Sequence, residues 1–280
     1  MAPPPLPAQL PLKDLIRLGN DRHAIKEAVI SLFFGSPFIE PVRFQGVLRP
    51  PLDGYFNQFE LIRQFQVQLE GNQDTFRMQP TAPRVEDVGF QFTRYEQGNV
   101  VRVLTGRNAP DRVSLSLHTM RYERWDDFRE LFDQLAAQLA PHLVNMVVLG
   151  CALHYVDELE WVGPGPLPLN AIYQRDQPYL PEHFFESPMS ELLLNVQHEA
   201  DGVPFFDRLH LTSTQNGRPV ATISHYLVHQ FASQLDLSAH LQLDQGSYLR
   251  QVLQAAHEQN KARLRRILQP AILDLINLPQ

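Results

Sequence analysis

VGFQFTR (88–94), NVVRVL (99–104) and RVSLSL (112–117) are three short runs, followed by WDDFRELFDQLAAQLAPH (125–142) and MVVLGCALHY (146–155). In the first three, apolar and polar residues alternate: Phe90 and Phe92, Val101 and Val103, Leu115 and Leu117. A period of two belongs to a half-buried strand. The turn at 96–98 joins two of them as a hairpin. The fourth run changes period. Trp125, Phe128, Leu131, Phe132, Leu135 and Leu139 recur at spacings of three and four, which marks an amphipathic helix. Asp126, Asp127 and Glu130 place negative charge in its first turn, where the helix dipole favours it, and Pro141 ends it. The fifth run is a buried strand. Antiparallel strands followed by a helix predict an α+β fold, with helices packed on one face of antiparallel sheet.

Outward from this block the same order recurs. Residues 192–196, 205–214 and 221–231 read as strands, with Asn216-Gly217 as the turn between the last two. A short strand is expected at 241–243 and a long helix at 248–268. N-terminal to the block, 27–34 reads as the first strand and 54–59 as a helical turn. Residues 60–70 alternate strongly and make a candidate edge strand. The proline-rich start reads as an extended tail, with a short helix near 12–18. Pro and Gly interrupt the pattern again at 161–170. The expected organisation is a tail and short helix over 1–20, an N-terminal α+β lobe over 21–165 and a C-terminal α+β lobe over 166–280.

Composition narrows the function classes. A formal charge of −7 makes nucleic acid an unexpected partner, because bulk polyanion affinity needs a basic surface. The single cysteine, Cys151, excludes an internal disulfide framework and a multi-cysteine zinc site. Its apolar surroundings suggest an inert buried thiol. No apolar run is long enough for a membrane helix. The first residues lack a basic segment followed by an apolar one, so a cytoplasmic location is expected. No P-loop, GxSxG or Rossmann fingerprint occurs, and no cofactor is expected.

Three constellations carry chemistry-bearing residues. His225 and His229 form HxxxH and share one face of a strand; His210, on the hairpin partner, would be the third ligand for a zinc ion. The plain alternative is a histidine-rich sheet face without metal, which is the expectation. His154, Asp157, Glu158 and Glu160 follow the apolar strand. Alternation sets His154, Glu158 and Glu160 on one face and Asp157 on the other. These residues form a metal site, an acid–base pair or a solvated strand end. Lys261, Arg263, Arg265 and Arg266 cluster late in the last long helix. They suit phosphates, an acidic partner or the solvated, dipole-compensated end of a helix.

HAIKEAVISLFF (23–34), RYERWDDFRELFDQLAAQLAPHL (121–143), VVLGCALHYVDELEW (147–161) and QAAHEQNKARLRRIL (254–268) together resemble a sporadically distributed family of uncharacterised prokaryotic proteins. In that family a Tyr and a Trp open a helix, the next strand ends in Arg-Tyr-x-Asn, and the final helix carries Leu-His. Here His154-Tyr155-Val156-Asp157 and Ala256-His257 stand at those places. The resemblance implies His154, Asp157 and His257, with Lys261 and Arg265 nearby, as ligand- or partner-binding residues. It also implies a prokaryotic source and a mobile, defence-like gene context. The leading expectation is a non-enzymatic binding protein for a protein partner or small ligand. An antitoxin, immunity or phage-defence component fits this, with a partner encoded nearby or self-association. The alternatives are a metal-dependent hydrolase or nuclease using the C-terminal histidines, and an oligomeric chaperone-like scaffold.

Overall fold

The computed structural model describes residues 11–20, 23–66, 69–71, 78–80, 84–187, 189–215, 217–242 and 248–278. The expected tail, Asn216 of the expected turn, Leu243 of the expected short strand and part of the 60–70 run lie outside the described residues, wholly or in part.

The alternating runs form strands that continue past the expected limits: β1 (Ile16–Leu18), β2 (Ile25–Phe34), β3 (Gln58–Gln66), β6 (Arg84–Glu96), β7 (Asn99–Ala109), β8 (Arg112–Thr119), β9 (Val147–Trp161), β10 (Glu191–Ala200), β11 (Val203–Thr214) and β12 (Val220–Asp236). Two short strands, β4 (Leu69–Gly71) and β5 (Met78–Pro80), pair separately. The ten form one antiparallel sheet in the order β10-β11-β12-β9-β2-β8-β7-β6-β3, with β1 also on β9. Strand β9 is the pivot, paired with β12 on one side and β2 on the other. The sheet therefore runs without interruption across residue 165. At the hairpin turn between β6 and β7, Gln97 and Gly98 both have positive φ, as the primed turns that match strand twist require.

Helix α2 (Trp125–Leu139) buries Trp125, Phe128, Phe132, Leu135 and Leu139, and a 3₁₀ turn containing Pro141 follows it. Helix α5 (Tyr248–Ile267) buries Leu249, Val252, Leu253, Ala256, Leu264 and Ile267. Both pack against the same face of the sheet. That face contributes Ala28, Ile30 and Leu32 of β2, Leu153 and Tyr155 of β9 and Leu227 of β12. A second apolar cluster joins Leu209, Leu211 and Ile223 to Leu264 and Ile267 of α5, to Leu169 and Ile172 of the short helix α3 (Leu169–Ile172), and to Ile272 and Leu273 of α6 (Pro270–Leu275).

Four expectations change. Residues 12–14 form a 3₁₀ turn and 16–18 a strand on β9, because the open edge of β9 beyond β2 accepts it. Leu237–Gln242 is a helix, α4, where a short strand was expected; Ala239 N–H donates to Asp236 Oδ1 at its start, which caps it. Residues 54–57 are a turn leading into β3. Helix α1 (Pro41–Leu52) was not expected at all, because it contains Gly46, Pro50 and Pro51. Its helix comes from tertiary burial: Leu48 and Leu52 are fully buried beside Phe38, Phe90 and Phe92. Pro41 sits in its first turn, where no N–H is needed.

Candidate functional site

β9 does not end at Tyr155. It continues to Trp161, so the residues expected at a strand end lie within a strand and keep alternating. Glu158 accepts from Lys26 at 2.6 Å, and Glu160 pairs with Arg218 and Arg17. His154 and Asp157 face opposite ways, as alternation requires. The structure therefore separates them by the thickness of the sheet.

Asp157 points towards the helices and is 2% exposed. Its Oδ2 is buried without a hydrogen-bond partner. Burial raises its carboxyl to about 7. The ring of Tyr155 on the same face packs edge-on to Tyr122 at 5.7 Å, and its hydroxyl lies 3.0 Å from His257 Nδ1 on α5. His257 in turn stacks on Trp125 of α2, with ring centroids 4.6 Å apart and planes 10° from parallel. Trp125 Nε1–H donates to Gln254 Oε1 at 2.7 Å. Burial lowers the His257 imidazole to about 4, so it is neutral at pH 7 and serves as a hydrogen-bonding wedge. Tyr122, Trp125, Tyr155 and His257 thus meet at one junction of β9, α5 and the start of α2. Trp125→Phe removes the indole donor and the broad stacking surface; it should cost about 1–2 kcal/mol. Denaturant titration checks this, and a midpoint unchanged from wild type would show that the junction contributes little.

The histidine set does not converge. His225 and His229 share the helix-facing side of β12, whereas His210 pairs with Ser224 on the opposite face and bonds Glu191 at 2.8 Å. This corrects the zinc alternative on geometry: the sheet lies between the third ligand and the other two. Both ring nitrogens of His225 and of His229 are already engaged. His225 Nε2 meets Asp207 Oδ1 at 2.8 Å and Nδ1 meets Asn260 Oδ1 at 2.7 Å. His229 Nδ1–H donates to Pro204 C=O at 2.8 Å, and its Nε2 lies 3.2 Å from the Tyr248 hydroxyl. Among the described residues no group of three or more His, Cys, Asp or Glu side chains is arranged to hold a metal ion.

The basic run of α5 is not a free solvent-facing patch. Arg263 is buried and donates to Asp207 Oδ2 at 2.6 Å, with its guanidinium 4.4 Å from the Tyr179 ring centre. Burial pushes the Asp207 carboxyl up, but hydrogen bonds and charge from His225 and Arg263 outweigh it and hold the group at about 2. Lys261 pairs with Glu258 on its own helix at 3.1 Å. Arg266 donates to the Tyr179 hydroxyl. Arg265 is half-buried, and its carbonyl accepts from Gln174. Asp207, Asn260 and Arg263 were missed as a set, because no local spacing links β11 to α5.

The opposite face of the sheet is the accessible one. His154 lies on it, its Nε2 2.8 Å from Ser224 Oγ and its ring edge-on to Tyr226 at 5.5 Å. Burial lowers His154 to about 4. Beside it His118 Nδ1 meets Glu27 at 2.6 Å. A groove of about 980 Å³ crosses this face, with Phe33, Arg112, Phe206, Arg208, Tyr226 and Gln230 along it. Arg112 donates to the Tyr226 hydroxyl at 3.0 Å and lies 4.9 Å from the Phe33 ring centre. Arg208 donates to Asn195. Phe206 is 37% exposed and Leu149, also at the groove, 40%. Planar rings, two guanidinium groups and side-chain amides can grip a surface without performing bond chemistry. Alternation in β8, β11 and β12 could have assigned these residues to one face, but not the face to solvent.

No helix among the described residues is long and apolar enough to cross a membrane. No family model matches the chain, and neither a curated protein nor a solved structure matches it.

Proposed function

We propose that the chain is a non-enzymatic binding protein whose protein partner docks on the helix-free face of the sheet. The carrying observation is the groove at Arg112, Tyr226 and Phe206, built from strands on both sides of β9. Partly exposed aromatic and arginine side chains at the centre of a broad face are the residue types that dominate interface energy. The groove is supported from behind by the sheet and two packed helices, so it costs little ordering on binding. An antitoxin, immunity or phage-defence component is the form of this reading that the family resemblance favours. The net charge of −7 suits masking a basic partner. The chemistry-bearing histidines argue less for a hydrolase, since His225 and His229 have both ring nitrogens engaged.

Co-expression with the products of the flanking genes, followed by titration of any complex obtained, tests this. Tyr226→Ala and Arg112→Ala should each weaken binding at least about tenfold, near 1.4 kcal/mol. Lys261→Ala, on the helical side, should leave it unchanged. A complex whose affinity ignores both groove substitutions places the partner elsewhere and defeats the proposal.

A further inference from the structure

We infer that β10 is a homodimerisation edge, pairing antiparallel with β10 of a second copy so that one sheet continues through both chains. This inference does not rest on the partner-binding reading above. It starts from a weakly protected edge strand, whose only charged side chains are Glu191 and Glu199 near its two ends. Strand β10 terminates the sheet, is 10 residues long and holds an unbroken register with β11. Its sequence, ELLLNVQHEA, contains no Pro, Gly, Lys or Arg. Proteins normally blunt an exposed edge with such residues, with a bulge or with a covering segment. The other end of the sheet shows the contrast: β3 carries a bulge at Ile62/Arg63 and exposes Glu60, Arg63 and Gln64.

The backbone polarity of the edge is fixed. Ser213 N–H donates to Ser190 C=O at 2.9 Å, so residue 190 and its even-numbered successors in β10 turn their backbone groups to β11. The N–H and C=O of Glu191, Leu193, Asn195, Gln197 and Glu199 therefore face outwards. Leu193 is 53% exposed and Met189, just before the strand, 55%. Leu192, Leu194 and Val196 are half-buried on the helix-facing side, where a continued sheet would cover them further.

Charge selects the register. A two-fold axis through Leu194 sets Leu194 against its own copy, Leu192 against the partner's Val196, Leu193 against the partner's Asn195 and Glu191 against the partner's Gln197. No like charges meet. An axis through Asn195 would oppose Glu191 to the partner's Glu199, which is destabilising. The axis stands perpendicular to the sheet, so both helix-free faces lie on the same side of the dimer. A strand ladder alone falls short of the roughly 1,200 Å² that a stable interface buries. Leu192, Leu194 and Val196 within the strand add apolar contacts across the ladder.

Light scattering coupled to gel filtration at tens of micromolar should report a dimer. Leu193 has an outward N–H, so Leu193→Pro removes no internal ladder bond; it and Leu193→Lys should each raise the dimer dissociation constant at least tenfold. Near-ultraviolet circular dichroism verifies that each variant is folded, and if the proline variant is not, the lysine variant carries the test. Leu194→Cys, at a non-hydrogen-bonded pair, should oxidise to an interchain disulfide; Cys151 is buried and does not compete. A wild-type monomer at about 100 micromolar overturns the inference. A dimer that both folded Leu193 variants leave intact does so as well.

Discussion

Asp157→Asn is expected to melt a few degrees above the wild type at pH 8 and a few degrees below it at pH 4. The cause is the buried position of this carboxyl on β9, with Oδ2 lacking a hydrogen-bond partner. Burial raises the folded-state pKa from the usual 3.8 to about 7. In the unfolded chain the group ionises near its usual value. Between roughly pH 4 and 7 the unfolded state therefore loses a proton that the folded state keeps. Stability contributed at low pH falls by about 1.4 kcal/mol for each pH unit across that window and levels off above it. The full span is of order 4 kcal/mol. An asparagine does not titrate, so the substitution removes the loss and retains the shape. It leaves a buried amide with one unmade bond, which costs about 1–3 kcal/mol at every pH. The difference between variant and wild type must therefore grow with pH from 4 to 7. A flat difference across that range, or a variant that falls further below the wild type as pH rises, would sink the assignment of Asp157 as a neutral buried acid.

The second large effect lies at Asp207. This carboxylate joins His225 of β12 to Arg263 of α5, and all three are buried. Asp207→Leu leaves Arg263 as an uncompensated buried cation. Two of its nitrogens, Nε and NH1, already lack hydrogen-bond partners. The expected cost is about 3–5 kcal/mol. Arg263→Met alone should cost less, because His225 still serves Asp207. The double variant Asp207→Leu with Arg263→Met should recover much of the loss, since apolar replacement of a whole buried pair is often close to neutral. Urea unfolding of the two single variants and the double variant closes this cycle. Strict additivity of the two losses would show that the pair does not act as a unit. The pH windows also separate the two carboxyls. Asp207 has a depressed folded-state pKa of about 2, so its contribution is present above the unfolded value near 4 and is lost as pH falls towards 2. Asp157 acts only above that range.

The oligomer and groove experiments connect to these through the sheet. If β10 pairs with its copy, two grooves open on one side of the dimer. A partner with two matching surfaces would then gain avidity without any new contact. Groove variants and edge variants stay distinguishable, because Tyr226 and Leu193 lie on different strands and act on different equilibria.

Local periodicity was enough to place most strands and the two long helices. The side-chain period is set by backbone geometry alone, and it survives whatever packs above it. The same alternation correctly set His154 and Asp157 on opposite faces, and His225 with His229 on one. Helix α1 escaped because propensity argues against Gly46, Pro50 and Pro51, while burial of Leu48 and Leu52 beside Phe90 and Phe92 outweighs it. The acidic residues after Tyr155 suggest a strand end, whereas pairing on both sides carries β9 on to Glu160 and beyond. The contacts that define the candidate sites were beyond reach for a different reason. Tyr155 meets His257 across 102 positions, Arg263 meets Asp207 across 56 and Arg112 meets Tyr226 across 114. No periodic signal links such residues. Strand order, the choice of β9 as pivot and the decision to put every major helix on one face brought them together, and those follow from non-local pairing and burial over the whole chain.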